Sequence, residues 1–242
     1  MAMTLRIDFV SDVACPWCAV GLNALERALE RIGPELAVEL SMQPFELNPT
    51  MPPEGADAAQ YLKAKYGIGD QQLAANRARI AERGAAEGFA FGPRTHVWNT
   101  FDAHRLLHWA GVEGADLCAT GRPKRTAAPS GGRERSELGG YSPQRALKHA
   151  LLEAYHGQGR NPGAHDVLID LAARVGLPAA RAAEVLARGE FADAVREAER
   201  FWQDDAGIQS VPAVVINRRH LISGGQPSEV FEQALRQIAS QA

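Results

Sequence analysis

Hydrophobic and polar positions alternate between two periods along this chain. An apolar run from Leu5 to Val10 reads as a strand. Val20, Leu22, Leu25, Ala28, Leu29 and Ile32 then recur at helical spacing over Ala19 to Ile32. Between Leu36 and Phe45 the period drops to two: Val38, Leu40 and Met42 alternate with Glu39, Ser41 and Gln43, as in a half-buried strand. Strand, helix and strand joined this closely predict a βαβ unit with a right-handed crossover. Pro44, Pro49, Pro52 and Pro53 break the pattern.

The next stretch is helical. A helix is predicted from Asp57, with a turn at Gly67 to Gly69 separating a second one that runs to about Ala86. A third is expected over Thr95 to Ala110, with Val97, Phe101, Leu106, Leu107 and Trp109 facing inward. Tyr155, Leu168 to Val175, Ala179 to Leu186 and Phe191 to Gln203 continue the series, Pro178 standing at a helix start. Strand character returns only at Val211 to Ile216 and His220 to Ser223. A last amphipathic helix is expected from Ser228 to Ala239, with Val230, Phe231, Leu235 and Ile238 inward. The layout is α/β with a helical block set between two strand-bearing ends.

Residues 112–145 break this regularity. The segment is rich in Gly, Pro, Ser and Arg and holds almost no large apolar residue. Such a stretch cannot bury enough surface to offset its ordering entropy. A surface loop is the plainer reading and a basic docking patch the functional one.

Composition narrows the function classes. The chain has 242 residues, 45% of them apolar and 23% charged, with a net charge of -3. That balance argues against nucleic acid or an acidic membrane surface as the main partner. The first apolar run is too short for a signal peptide or a membrane span and leads directly into a cysteine pair, so a cytoplasmic setting is expected. There, disulfides are usually catalytic or transient.

That pair is Cys15-Pro16-Trp17-Cys18, set where the first strand hands over to the first helix. A helix N-terminus offers unpaired N–H groups and partial positive charge, which favour a thiolate. Cys15 would face that end as nucleophile, and Cys18, one turn in, would resolve a mixed disulfide. A zinc site needs two more ligands at matching spacing, and Cys118 stands alone. A structural disulfide across two residues would constrain the unfolded chain little. Trp17 is expected to be exposed and functional. Asp12 is either a buried carboxylate assisting proton transfer from Cys18 or a solvated turn residue. His104 and His108 share one helix at a spacing that suits a metal, but no third ligand is evident, and a packing pair is the stronger reading.

The stretch Asp8 to Cys18, Trp98 to Arg105, Ser210-Val211-Pro212 and Gly224 to Pro227 together resemble the DsbA family of thiol–disulfide oxidoreductases, closest to its FrnE-like branch of polyketide-biosynthesis dithiol–disulfide isomerase type. The resemblance implies a thioredoxin fold interrupted by an inserted α-helical domain, with 1–50 and 205–242 forming the thioredoxin-like domain and 51–204 the insertion. It implies a cis Pro212 lying against the cysteines, with Val211 presenting backbone to the substrate. Trp98, Asn99 and Asp102 become candidates for the cleft facing Cys15, with the core an equal reading for Trp98. No metal or organic cofactor is expected beyond a redox-active Cys15–Cys18 disulfide, with glutathione a candidate co-substrate. The expected partners are protein or small-molecule thiols and disulfides. Two rival readings remain. One is a glutathione-dependent transferase or 2-hydroxychromene-2-carboxylate isomerase-like enzyme of the same fold, which typically has serine in place of Cys15. The other is a redox-inactive binding module or chaperone.

Overall fold

The computed structural model describes residues 4–114 and 142–241; most of the irregular segment, including Cys118, lies outside the described residues. One four-stranded sheet carries the architecture, in the order β2-β1-β5-β6. Strand β1 (Thr4–Ser11) is central and pairs in parallel with β2 (Ala37–Pro44), in register from Thr4 with Ala37 to Ser11 with Pro44. On its other side β1 runs antiparallel to β5 (Ala213–Ile216), which in turn pairs with β6 (His220–Ser223). The parallel pair needs a crossover, and helix α1 (Pro16–Ile32) supplies it. Strands β2 and β5 lie on opposite sides of β1, and the chain between them carries the whole helical block.

Helix α1 is buried nearly all round, from Cys18 and Leu22 to Leu29 and Ile32. It packs with α9 (Ser228–Ser240) over one face of the sheet, where Leu5, Ile7, Phe9, Leu22, Leu25, Val214, Phe231 and Leu235 form one core. Each such side chain contributes roughly 1.5–3 kcal/mol when fully buried. Gly21 permits the close approach of α1 to the end of the sheet: a Cβ there would stand 3.0 Å from Pro212 Cγ.

The block between β2 and β5 contains α2 (Ala58–Tyr66), α3 (Asp70–Ala86), α4 (Phe101–Val112), α5 (Pro143–Leu152), α6 (His165–Arg174), α7 (Ala179–Ala187) and α8 (Ala192–Arg200). Its core joins Leu106, Trp109, Leu147, Leu151, Tyr155 and Leu168. Gln144 ties this block to the sheet. Its amide accepts from Met42 N (3.0 Å) and donates to Met42 O (3.2 Å) and Leu107 O (3.1 Å), pairing the outer edge of β2 as another strand would.

Three sequence expectations need correction. The helix expected over Thr95 to Ala110 starts at Phe101. His96–Val97 instead forms β4, antiparallel to β3 (Ala56–Asp57), and Asn99 Oδ1 accepts from Phe101 N to turn the chain. The strand expected from Val211 starts at Ala213, since Pro212 has no N–H to give the ladder. Val230 is 42% exposed, because the buried stripe of α9 runs through Phe231 and Leu235, one helical turn apart.

Candidate active site

Cys15 occupies the N-cap position of α1, in an extended conformation, with Pro16 at the first helical turn. Pro16 fits there because its missing N–H would have no intrahelical partner. The motif straddles the two cores: Val13 and Ala14 pack into the helical block, while Cys15 and Cys18 belong to the sheet core. Both thiols are free. Cys18 is fully buried and Cys15 is 4% exposed, so only Cys15 reaches outward.

The environment separates the two thiols. Hydrogen bonding from the Cys18 thiol holds Cys15 below the ordinary thiol range. Burial and the Asp12 charge oppose this, while the N–H groups of Cys18 and Trp17 assist. Burial pushes Cys18 well above that range, and its contact with Cys15 adds to the effect. Lys148 acts in the opposite sense on Cys18. It is fully buried on α5, and its ammonium has no hydrogen-bond partner among the described residues.

The Val211–Pro212 peptide bond is cis, and the Cys15 S–H donates to Val211 O at 3.5 Å. Gly224 N donates to Pro212 O at 2.8 Å and fixes this loop to the end of β6. Trp17 is half-buried at the mouth of the site, with the Arg79 guanidinium over its ring at 5.6 Å.

Asp12 is the buried carboxylate of the two readings and not a solvated turn residue. It is completely buried, and its two oxygens accept from Ala14 N (3.0 Å), Thr100 Oγ1 (2.8 Å), His104 Nε2 (3.3 Å) and Leu47 N (2.7 Å). Burial alone would raise its pKa, but the His104 bond, with the backbone donors, brings it down to about 2. Thr100 and His104 lie one turn apart at the start of α4, so both reach one oxygen. Asp12 thus pins the motif to the Leu47 loop and to α4.

Above Cys15 opens a cleft of about 800 Å³, walled by the motif, α2, α3 and the Val211 loop. Trp98, Asn99 and Asp102 do not line it. Trp98 stacks on His96 at 5.2 Å and meets Tyr155 edge-on. Asn99 donates to Met51 O at 3.1 Å. Asp102 pairs with Arg105 and with His165 at 2.7 Å. They hold α4 to its neighbours, and no residue of that helix lines the cleft; Thr100 and His104 touch the motif only through Asp12. His108 packs against Phe191, ring to ring at 5.5 Å. The sequence reading missed His156, which does line the cleft. It sits in a π-turn over Glu153–Gly157 after α5, and its Nε2–H donates to Val13 O at 2.9 Å. Burial first, then Arg94, lowers its pKa to about 3, so the ring is neutral. A backbone insertion of this kind leaves no periodic signal in the sequence, although such turns are frequent at functional sites.

A thioredoxin-type sheet, a dithiol at a helix start and a cis-proline loop against it define a thioredoxin-fold dithiol protein. A family model described as a DSBA-like thioredoxin domain matches residues 6–121 and 137–236, and the chain belongs to that family of thiol–disulfide oxidoreductases. It is similar to a probable DsbA oxidoreductase from Streptomyces coelicolor, 32% identical, with 98% of this chain and 91% of that one covered and a TM-score of 0.81. It is 26% identical to the uncharacterized protein YwbO of Bacillus subtilis, over 96% of each. The cytosolic disulfide reductase DsbM from Pseudomonas aeruginosa shares the fold at 19% identity and a TM-score of 0.59, over 98% of this chain and 99% of that one.

Proposed function

We propose that the protein exchanges disulfides through Cys15 as nucleophile and Cys18 as resolving thiol. The observation that carries this is the contrast within one motif. Cys15 is the lowered thiol at the base of the cleft, whereas Cys18 is raised and sealed beneath it. In the reducing direction, the Cys15 thiolate attacks one sulfur of a substrate disulfide. The substrate S–S bond breaks, one half leaves as a thiolate that takes up a proton, and a mixed disulfide forms. Cys18 then loses its proton and attacks the Cys15 sulfur, releasing the second half and closing the Cys15–Cys18 bond. Two electrons pass from protein to substrate, and an external thiol restores the dithiol. The same steps reversed oxidise a dithiol substrate.

Val211, with its carbonyl beside the Cys15 sulfur, and Pro212 are the backbone against which a substrate would lie, with Pro16 and Trp17 forming the mouth. The C-P-W-C motif and the late Val-Pro support an assignment to the FrnE-like branch and an isomerase activity within it. We place the protein in the cytoplasm, on its reactive rather than structural cysteine pair; among the described residues no helix is long and apolar enough to cross a membrane. Residues 1–50 and 205–242 act as the thioredoxin-like unit and 51–204 as the helical insertion that covers it. Thiol or disulfide substrates are the only partners this chemistry needs, with glutathione a candidate co-substrate and no metal.

The test is trapping. Reduced Cys18→Ser, mixed with a disulfide substrate, should accumulate a mixed disulfide mapped to Cys15. Cys15→Ser should exchange at least about 100-fold more slowly than wild type, since its buried partner is a poor nucleophile. Exchange by Cys15→Ser at the wild-type rate would remove Cys15 from the mechanism.

A further inference from the structure

We infer that the cleft over Cys15 selects small disulfides or thiols that carry carboxylates, in preference to protein chains. This rests on the exchange chemistry proposed above and adds the class of substrate. The chain as a whole is anionic, with a net charge of -3. The cleft reverses that sign: Lys65, Arg77, Arg79 and Arg94 all line it, and no aspartate or glutamate does. Among the described residues none of these four cations is in an ion pair; the described pairs engage other lysines and arginines. Four uncompensated cations around one reactive sulfur make a local field that favours an anion.

Their remaining donors are consistent with this. Lys65 Nζ donates to Leu47 O at 2.8 Å and Asn48 Oδ1 at 2.6 Å, which fixes its position and leaves a third N–H. Arg94 spends its Nε on Tyr155 Oη at 2.9 Å, which leaves both terminal nitrogens, the pair that grips a carboxylate end-on. Arg79 is held over Trp17. Apolar walls from Leu62, Ile68, Leu73, Ile80 and Phe91 would receive the body of such a molecule. The volume of about 800 Å³ falls within the roughly 300–1,000 Å³ of small-molecule sites. With Cys15 only 4% exposed at the base, the substrate sulfur must descend into the cleft, and a compact molecule does so more readily than a folded surface.

The probe pair is 3,3′-dithiodipropionate and its neutral diamide, which share one disulfide and differ only in charge. Each is mixed with prereduced wild type under single-turnover conditions. Cys15 displaces one 3-sulfanylpropionyl thiol and Cys18 the second, so the probe gains two electrons and the protein closes its disulfide. The dianion-to-diamide rate ratio is divided by that of free dithiothreitol, which corrects for intrinsic reactivity. A normalised ratio of about ten or more, falling at least threefold in raised salt and in the Arg77→Gln/Arg79→Gln double variant, is expected. A normalised ratio near one in wild type, or one that salt leaves unchanged, overturns charge selection while leaving the exchange chemistry intact. Faster oxidation by the disulfides of insulin than by the dianion also overturns it. If no disulfide oxidises the pair, the exchange reading falls and this inference with it.

Discussion

Lys148 is the residue whose position the exchange chemistry explains best. A fully buried ammonium without a hydrogen-bond partner is costly, and burial lowers its pKa, with Cys18 foremost among the groups that counter the shift. Below the ordinary lysine pKa the unfolded chain binds this proton more readily than the folded one. The cost is therefore fully present below the lowered folded-state pKa and is relieved as pH rises from there toward the ordinary lysine value of about 10.4, so stability climbs with pH over that window. Lys148→Met keeps the volume and removes the charge. It should raise stability at neutral pH by about 1–3 kcal/mol and flatten that alkaline rise, read by urea unfolding across pH. Without the ammonium the Cys18 thiol rises further, so resolution of a mixed disulfide should slow several-fold. Unchanged resolution would make Lys148 structural only. None of this was legible in the sequence: Lys148 stands among Leu147, His149 and Ala150 on an amphipathic helix, where a lysine ordinarily faces water. Cys15 and Cys18 were legible because their spacing sits at a strand-to-helix junction, which is itself the chemical device.

At the level of elements, the site depends on how the helical block is held against β2. Gln144 makes three hydrogen bonds through its side-chain amide to two backbones, and Gly111 leaves it room: a Cβ there would lie 2.6 Å from Gln144 Nε2. Gln144→Leu should cost about 2–4 kcal/mol, because it strands Met42 N–H and two carbonyls at a partly buried edge. It should also loosen the block from the sheet, seen as faster hydrogen exchange in β2 and α4. Exchange unchanged in both would show that apolar packing alone joins the layers. Element types were readable where one period runs long, as in α1 with Leu22, Leu25 and Leu29, or in β2 with Val38, Leu40 and Met42. They failed where tertiary pairing overrode pattern. Val97 fits the inward face of a helix, yet it is buried in a two-residue strand against Ala56. The roles of Trp98, Asn99 and Asp102 could not be read because neither period nor spacing says which way the first turn of α4 points. Asp12 shows the same limit, since its four donors come from Ala14, Leu47, Thr100 and His104, three of them distant in sequence.

In the whole molecule, the two cores meet at the cysteine motif. Val13 and Ala14 anchor it in the helical block while Cys15 and Cys18 lie in the sheet core, and the basic cleft opens between them. The central claim is that this junction makes one thiol reactive and seals the other. The direct measurement is the pH dependence of iodoacetamide labelling of the reduced wild-type protein, read for each cysteine by peptide mass spectrometry. Because the bonds to its sulfur lower the Cys15 pKa, Cys15 should label with a midpoint below the ordinary thiol value of about 8.5, and Cys18 should stay unlabelled across the same range. Preferential labelling of Cys18, or equal labelling of both with a midpoint at or above the ordinary value, would contradict the account.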